Sequence, residues 1–150
     1  MFLGVNLTPE AKRYFKELKK LKKLEVQVGF QSGEAQEENG ADVAEIAAFN
    51  ELGSSNTPAR PFMRQSFENH QGELQAACTA VEKKIQSGAT AEEALETLGA
   101  FCKGLVQQEI VDGGFAPNSP YTIAKKGSDQ PLIDTGTMRQ SVNYAIKPRK

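Results

Sequence analysis

Residues 90–114 read T-A-E-E-A-L-E-T-L-G-A-F-C-K-G-L-V-Q-Q-E-I-V-D-G-G. Ala94, Leu98, Phe101, Cys102, Leu105, Val106 and Ile110 recur at intervals of three and four, the period of a helix with one buried face. Thr90 and Glu93 stand where a capping box needs a hydroxyl and a carboxylate, and Gly113-Gly114 ends the run. Immediately upstream, Met63, Phe67, His70, Leu74, Cys78, Val81 and Ile85 carry the same spacing. They allow one long helix to about Gln86, or two helices with a break or bend at Gly72. Gly88 leaves only a short turn between the two runs, so they should lie as an antiparallel pair.

The rest of the chain is arranged around that pair. Thr8 followed by Pro9 is a helix start, with a hydroxyl cap and a proline where its missing N–H costs nothing. Ala11, Tyr14, Phe15, Leu18 and Leu21 form the apolar stripe of this helix, and lysines occupy most of the remainder. At Leu24 the period changes to two. Leu24, Val26, Val28 and Phe30 alternate with Glu25, Gln27 and Gly29, the pattern of a half-buried strand. Residues 31–40, Q-S-G-E-A-Q-E-E-N-G, are acidic and poor in apolar groups, as in a loop or an extended hairpin tip.

Asp42 and Glu45 suggest a second capping box for a short helix through Leu52, closed by Gly53, with Val43, Ile46, Ala47 and Phe49 on its apolar side. Pro61 suits the first turn of the helix that follows. After Gly114, Pro120 begins a short helical turn, Asp134 or Thr135 caps another around Met138–Ser141, and Val142, Tyr144 and Ile146 alternate as a last strand. Two strands alone make a marginal sheet. Weaker strand segments near residues 31–41 and Leu132-Ile133, or neighbouring subunits, are expected to complete it. The expected fold is α+β: a small antiparallel sheet packed against two long helices, with an extended acidic loop or hairpin.

A chain of 150 residues with 39% apolar content forms one domain and can bury a core without metals or crosslinks. The net charge of −1 argues against a general nucleic-acid binder. Its distribution is uneven, however. Residues 1–30 carry seven basic and three acidic groups, residues 31–112 five and fourteen, and residues 113–150 six and two. Basic ends around an acidic middle suit subunits that meet through complementary surfaces. Cys78 and Cys102 fall on apolar helix positions and read as buried free thiols. The start M-F-L-G-V-N lacks the pattern of a signal peptide, and no apolar run is long enough to span a membrane. A soluble, cytoplasmically made protein is expected.

The one segment that looks catalytic is L-I-D-T-G, residues 132–136, which is similar to the active-site run of retroviral-type aspartic proteases. Asp134 occurs in a single copy, so a shared-proton pair would need a dimer. Such proteases are mostly β, whereas this chain is mostly helical before Asp134, and T-M-R-Q-S after it reads as a helical turn. A capping role for Asp134 or Thr135 is the simpler reading. His70, the only histidine, sits on a helix stripe as a packed or boundary residue. No Cys/His spacing supports zinc, and K-K-G-S at 125–128 lacks the upstream glycines of a phosphate loop. No cofactor or metal is expected. Arg60, Pro61, Phe62, Met63 and Arg64 combine rigidity, an aromatic and two guanidiniums, as an intersubunit anchor would. The alternative is that Phe62 and Met63 pack internally. Arg139 is a second candidate, for pairing with an acidic neighbour either within the fold or across subunits. Lys147, Arg149 and Lys150 form a short basic end that could contact passing DNA only weakly.

Five segments, V-Q-V-G-F, A-E-I-A-A-F-N-E-L-G, P-A-R-P-F-M-R, P-N-S-P-Y-T-I-A-K-K-G-S and P-L-I-D-T-G-T-M-R-Q-S-V-N-Y, follow one another between residues 24 and 146. In order and spacing the chain resembles the minor tail, tail-completion and head–tail joining proteins of tailed bacteriophages and prophages. That resemblance implies a non-enzymatic virion protein at the neck or tail end. Such a protein is made in the host cytoplasm and assembles as a ring, often hexameric, that leaves a channel for DNA. Its partners would be copies of itself and the tail tube, the head connector or both, with no membrane involved. In the family pattern a glycine closes the second helix, as at Gly53, and Pro-Ala-Arg-Pro-Phe opens the next. Asp134, Gly136 and Arg139-x-Ser141 match the closing turn before the last strand. Gly53-Ser54 departs from the more usual Gly-Thr. Residues 58–64 and parts of 132–141, including Asp134 and Arg139, are the expected interfaces. The alternative is a prophage-encoded protein-binding adaptor that stays outside the virion; an aspartic protease ranks below both.

Overall fold

The computed structural model of the chain describes residues 6–37, 39–115 and 136–150. The turn at Pro120, the strand segment at Leu132-Ile133 and the candidate Asp134 lie outside these residues. In chain order the elements are α1 (Pro9–Leu21), β1 (Leu24–Gly29), α2 (Val43–Leu52), α3 (Phe62–Glu68), α4 (Gln71–Gln86), α5 (Ala91–Asp112), α6 (Thr137–Ser141) and β2 (Asn143–Pro148). The architecture is α+β, with a small antiparallel sheet. No helix among the described residues is long and apolar enough to cross a membrane.

Helix α5 is the spine, and its start forms as its sequence dictates. Thr90 Oγ1 accepts from the Glu93 N–H at 3.1 Å and Glu93 Oε2 accepts from the Thr90 N–H at 3.2 Å, a complete capping box. Its N-terminal half packs Ala94 and Leu95 against Val81 and Ile85 of α4, with Leu18 and Leu21 of α1 and Ile146 of β2 closing over them. Its C-terminal half packs Val106 and Ile110 against Val43 and Ala47 of α2, Phe62 of α3, Met138 of α6 and Val142. Two cores therefore share one helix. The order of contacts, with Ile85 near the start of α5 and Ala76 and Ala77 facing Phe101, makes α4 and α5 antiparallel.

Strands β1 and β2 pair antiparallel, with Val26 opposite Ile146 and Val28 opposite Tyr144. Among the described residues the sheet has only these two strands. Residues 31–41 add no third strand. They close a small hairpin of their own, through the bridge of Gln36 with Asp42 and the bond from the Val43 N–H to the Ala35 carbonyl at 3.0 Å. The sheet is supported instead by packing on α5, which touches both strands.

The upstream helical run is broken, two residues before Gly72. Asn69 ends α3, and His70 takes φ −126° and ψ 32° as the residue before α4. Pro61 caps α3 and does not enter its first turn. Asp42 caps α2 through the Ala44 N–H, one position earlier than a capping box would. Gly136, at φ 83°, is the residue before α6, a left-handed conformation that glycine adopts without steric cost; the capping role expected of Asp134 or Thr135 falls outside the described residues. Cys102 is buried as expected, but Cys78 is exposed.

Helix α1 clamps the turn between α4 and α5. Arg13 donates to the Ile85 carbonyl at 2.5 Å and the Ala89 carbonyl at 3.2 Å, at the C-terminal end of α4. Glu17, only 6% exposed, accepts from the Ala91 N–H at 2.8 Å, at the N-terminus of α5. A cation on the negative end of one helix and an anion on the positive end of the next complement both dipoles. The backbone bond from Ala91, helped by Lys20, holds the Glu17 carboxyl below the ordinary carboxylate range despite its burial. A depressed folded-state pKa contributes stability above the unfolded pKa and loses it as pH falls through the folded value. Urea unfolding from pH 7 to pH 3 should therefore show wild type losing about 1–2 kcal/mol more than Glu17→Gln. Equal acid sensitivity of the two proteins would remove Glu17 from this role.

Candidate functional site

The corner between α2 and α3 is built from backbone upward. Gly53 adopts φ 75°, and a Cβ there would stand 2.8 Å from the Ala59 nitrogen, so glycine is required. Ser54 and Thr57 bridge across the turn, and the Arg60 N–H returns to the Asn50 carbonyl at 2.6 Å. Proline leaves α3 without a side-chain cap. Glu51 of α2 supplies one, accepting from the N–H groups of Met63 at 2.8 Å and Arg64 at 3.1 Å. A carboxylate is thereby held against a helix N-terminus.

The suspected anchor residues separate once placed on this corner. Phe62 is fully buried and meets Phe30 edge to face, with ring centroids 5.9 Å apart. Its side chain belongs to the core. Arg60 is 7% exposed, and burial pushes its guanidinium pKa down. Pro61 and Met63 are half-buried, Met63 lying against the core. Arg64 alone of the five is exposed, loosely paired with Glu68 at 3.7 Å. Arg139 is exposed on α6, where its carbonyl accepts from Gln107 Nε2 at 3.1 Å. Helices α3 and α6 both pack on α2. The two suspected regions are thus neighbours of one helix, although they are 75 residues apart in sequence.

Helix α2 itself supplies the apolar surface of this region. Phe49 is 62% exposed and Leu52 78%. Placing Phe49 on the packed side of α2 is corrected here. Val43, Ile46, Ala47 and Asn50 form the i, i+3, i+4, i+7 stripe, and Phe49 and Leu52 fall off it. That spacing is readable in the sequence, so the exposed pair could have been found there.

No catalytic arrangement emerges among the described residues. Ser66, His70 and Glu109 lie together and carry the residue types of a triad, but their geometry is structural. His70 Nδ1 donates to the Ser66 carbonyl at 2.8 Å, while Ser66 Oγ is fully buried and donates to the Met63 carbonyl at 2.7 Å. A nucleophile needs its hydroxyl on the imidazole. The buried Glu109 instead accepts from Gln65 Nε2 at 2.7 Å and Asn69 Nδ2 at 3.3 Å, with His70 at 3.9 Å. It ties the break between α3 and α4 to α5. Burial raises the Cys102 thiol pKa, the opposite of activation. No group of three or more His, Cys, Asp or Glu among the described residues could hold a metal ion. A hollow of about 430 Å³ between α4 and α5 is lined mainly by Ala76, Ala77, Ala80, Leu98 and Phe101, with Glu73 and Lys84 as its charged members.

Comparisons with protein-family models, curated proteins and solved structures find no match to this chain.

Proposed function

We propose that this chain is a structural subunit of a tailed-bacteriophage particle that closes as a ring at the neck or tail end. The ring surrounds a DNA channel and meets the tail tube, the head connector or both. One observation supports the reading most. The segments that carry the family resemblance and fall within the described residues converge on one core. Val28 and Phe30 come from V-Q-V-G-F, Val43 and Ala47 from in and around A-E-I-A-A-F-N-E-L-G, Phe62 from P-A-R-P-F-M-R, and Met138 and Val142 from the closing run. Residues spread over more than a hundred positions thus make up a single packing unit, as a family signature should if it encodes a fold. The exposed Phe49 and Leu52, with Arg64 and Arg139 on the flanking helices, supply an apolar and cationic face for one side of a subunit contact. A closed ring needs two different faces meeting.

Light scattering with electron microscopy of the purified chain, alone and with tail tubes, tests the proposal. Wild type should assemble into rings, in isolation or on the tube. The double substitution Phe49→Asp/Leu52→Asp should leave helix content unchanged and keep the protein monomeric, because the replaced side chains touch solvent and not the core. A strict monomer under every condition, tail tubes included, would overturn the ring. Absence of the protein from purified particles would favour the adaptor.

A further inference from the structure

The fold assembles a basic surface that the sequence keeps in two pieces. Lys12, Lys16, Lys19, Lys20 and Lys23 share one side of α1 and its terminal turn, within an arc of about 100°. The opposite side is fixed by packing. Tyr14, Leu18 and Leu21 lie against the α4–α5 core, and Arg13 and Glu17 are tied to the turn between those helices. Lys12, Lys16, Lys19 and Lys23 are therefore exposed, with Lys20 half-buried. The chain's basic end joins this row at its C-terminal limit. The Arg149 N–H donates to the Lys23 carbonyl at 2.8 Å, and Pro148 stands opposite Leu24 in the sheet. Arg149 and Lys150 thus adjoin the end of the row, with Arg149 also lining the hollow beside Leu21, Leu74 and Cys78. Lys147 stands opposite Glu25 in the strand register. Among the described residues, Lys20 is the only one of the five lysines in an ion pair, with Glu17 at 3.4 Å.

We propose that this row of lysines, adjoined by Arg149 and Lys150, binds the phosphate backbone of duplex nucleic acid without reading its sequence. Lysines are compact point charges suited to phosphates, and they are depleted in protein–protein interfaces. Between its lysines the row carries no Asn or Gln to contact base edges, and Arg13 is tied to the turn between α4 and α5. A membrane surface would need a continuous apolar side of α1 for insertion, and Tyr14, Leu18 and Leu21 of that side are used in the core, leaving only Phe15 on the helix and Leu7 before it exposed. From Lys12 to Lys23 the row is about 16 Å long, a length over which a duplex presents about nine phosphates on its two strands, enough to offer one to each of the five lysines. The inference does not depend on ring assembly, since one subunit carries the whole surface.

Fluorescence anisotropy of a labelled duplex of about 25 bp and mixed sequence, titrated with the full chain, tests it. With about five phosphates neutralised, log affinity against log salt should have a slope near −4.5, about a 500-fold loss between 50 and 200 mM salt. The triple substitution Lys12→Gln/Lys19→Gln/Lys23→Gln should retain wild-type circular dichroism, since all three side chains are exposed. Its slope should fall by about 2.7, and its affinity at 50 mM salt by about tenfold or more. Lys83→Gln/Lys84→Gln/Lys103→Gln, removing three cations elsewhere, should change neither. A wild-type slope shallower than about −1, or equal losses in the two triple variants, would overturn the proposal. Tighter binding to phosphatidylserine vesicles than to the duplex would reassign the surface to a membrane. Displacement of the duplex by polyglutamate at equal charge would reassign it to an acidic protein.

Discussion

Phe62→Ala should lower the unfolding free energy by about 3–5 kcal/mol, the range for deleting a buried aromatic ring. Phe62 has no exposed surface and is the largest fully buried side chain of its core. Truncation removes its edge-to-face contact with Phe30 and opens a cavity among Val43, Ala47, Val106, Ile110, Met138 and Val142. Domains of this size have about 5–15 kcal/mol in total, so the variant should unfold at a much lower urea concentration. Arg64→Ala, two positions on, removes only an exposed pair with Glu68 and should cost less than about 1 kcal/mol. The contrast separates two readings of the same motif. If Phe62 were an intersubunit anchor, alanine would leave monomer stability intact and weaken association alone. Urea unfolding of the two variants at a concentration where the chain is monomeric decides between them; equal, small effects would show that Phe62 does not bear this core.

Elements whose instructions are local were readable from the chain. The hydroxyl of Thr90 and the carboxylate of Glu93 lie within one turn of each other, as do Thr8 and the Ala11 N–H it accepts. Both strands showed in their alternation, but nothing local says that residue 26 pairs with residue 146. The position of the helix break was not readable for the same reason. Gly72 is the weaker helix former, yet the chain breaks at Asn69 and His70, where Gln65, Asn69 and His70 gather around the buried Glu109 of α5. That partner lies about forty residues downstream, and tertiary hydrogen bonding outweighs a propensity difference of about 1 kcal/mol. The basic surface follows this pattern too. Its two parts are legible separately, and only the β1–β2 register and the bond from Arg149 to Lys23 place them side by side. Asp134 lies outside the described residues, so its role stays a matter of sequence.

Gly99→Ala should be destabilising by about 2–4 kcal/mol, against the ordinary preference of a helix interior for alanine by about 1 kcal/mol. Gly99 sits in the middle of α5 and is buried under the ring of Tyr144 from β2. A Cβ at position 99 would stand 2.7 Å from Tyr144 Cγ and as close to Cε2, inside any real contact distance. Cγ is adjacent to the backbone end of the side chain, so the ring cannot swing clear without changing its first torsion. The far end is held as well, because the Tyr144 hydroxyl donates to Glu96 Oε2 at 2.6 Å. The strand must therefore move off the helix, or α5 must bend. Tyr144→Ala removes the obstruction at the cost of the ring's own packing. In that background Gly99→Ala should change sign and stabilise by up to about 1 kcal/mol, since only helix propensity remains. Thermal or urea unfolding of the four proteins in this cycle gives the coupling directly. Additive effects, with no coupling between positions 99 and 144, would mean that the close approach of β2 to α5 is not what requires glycine in the spine of the fold.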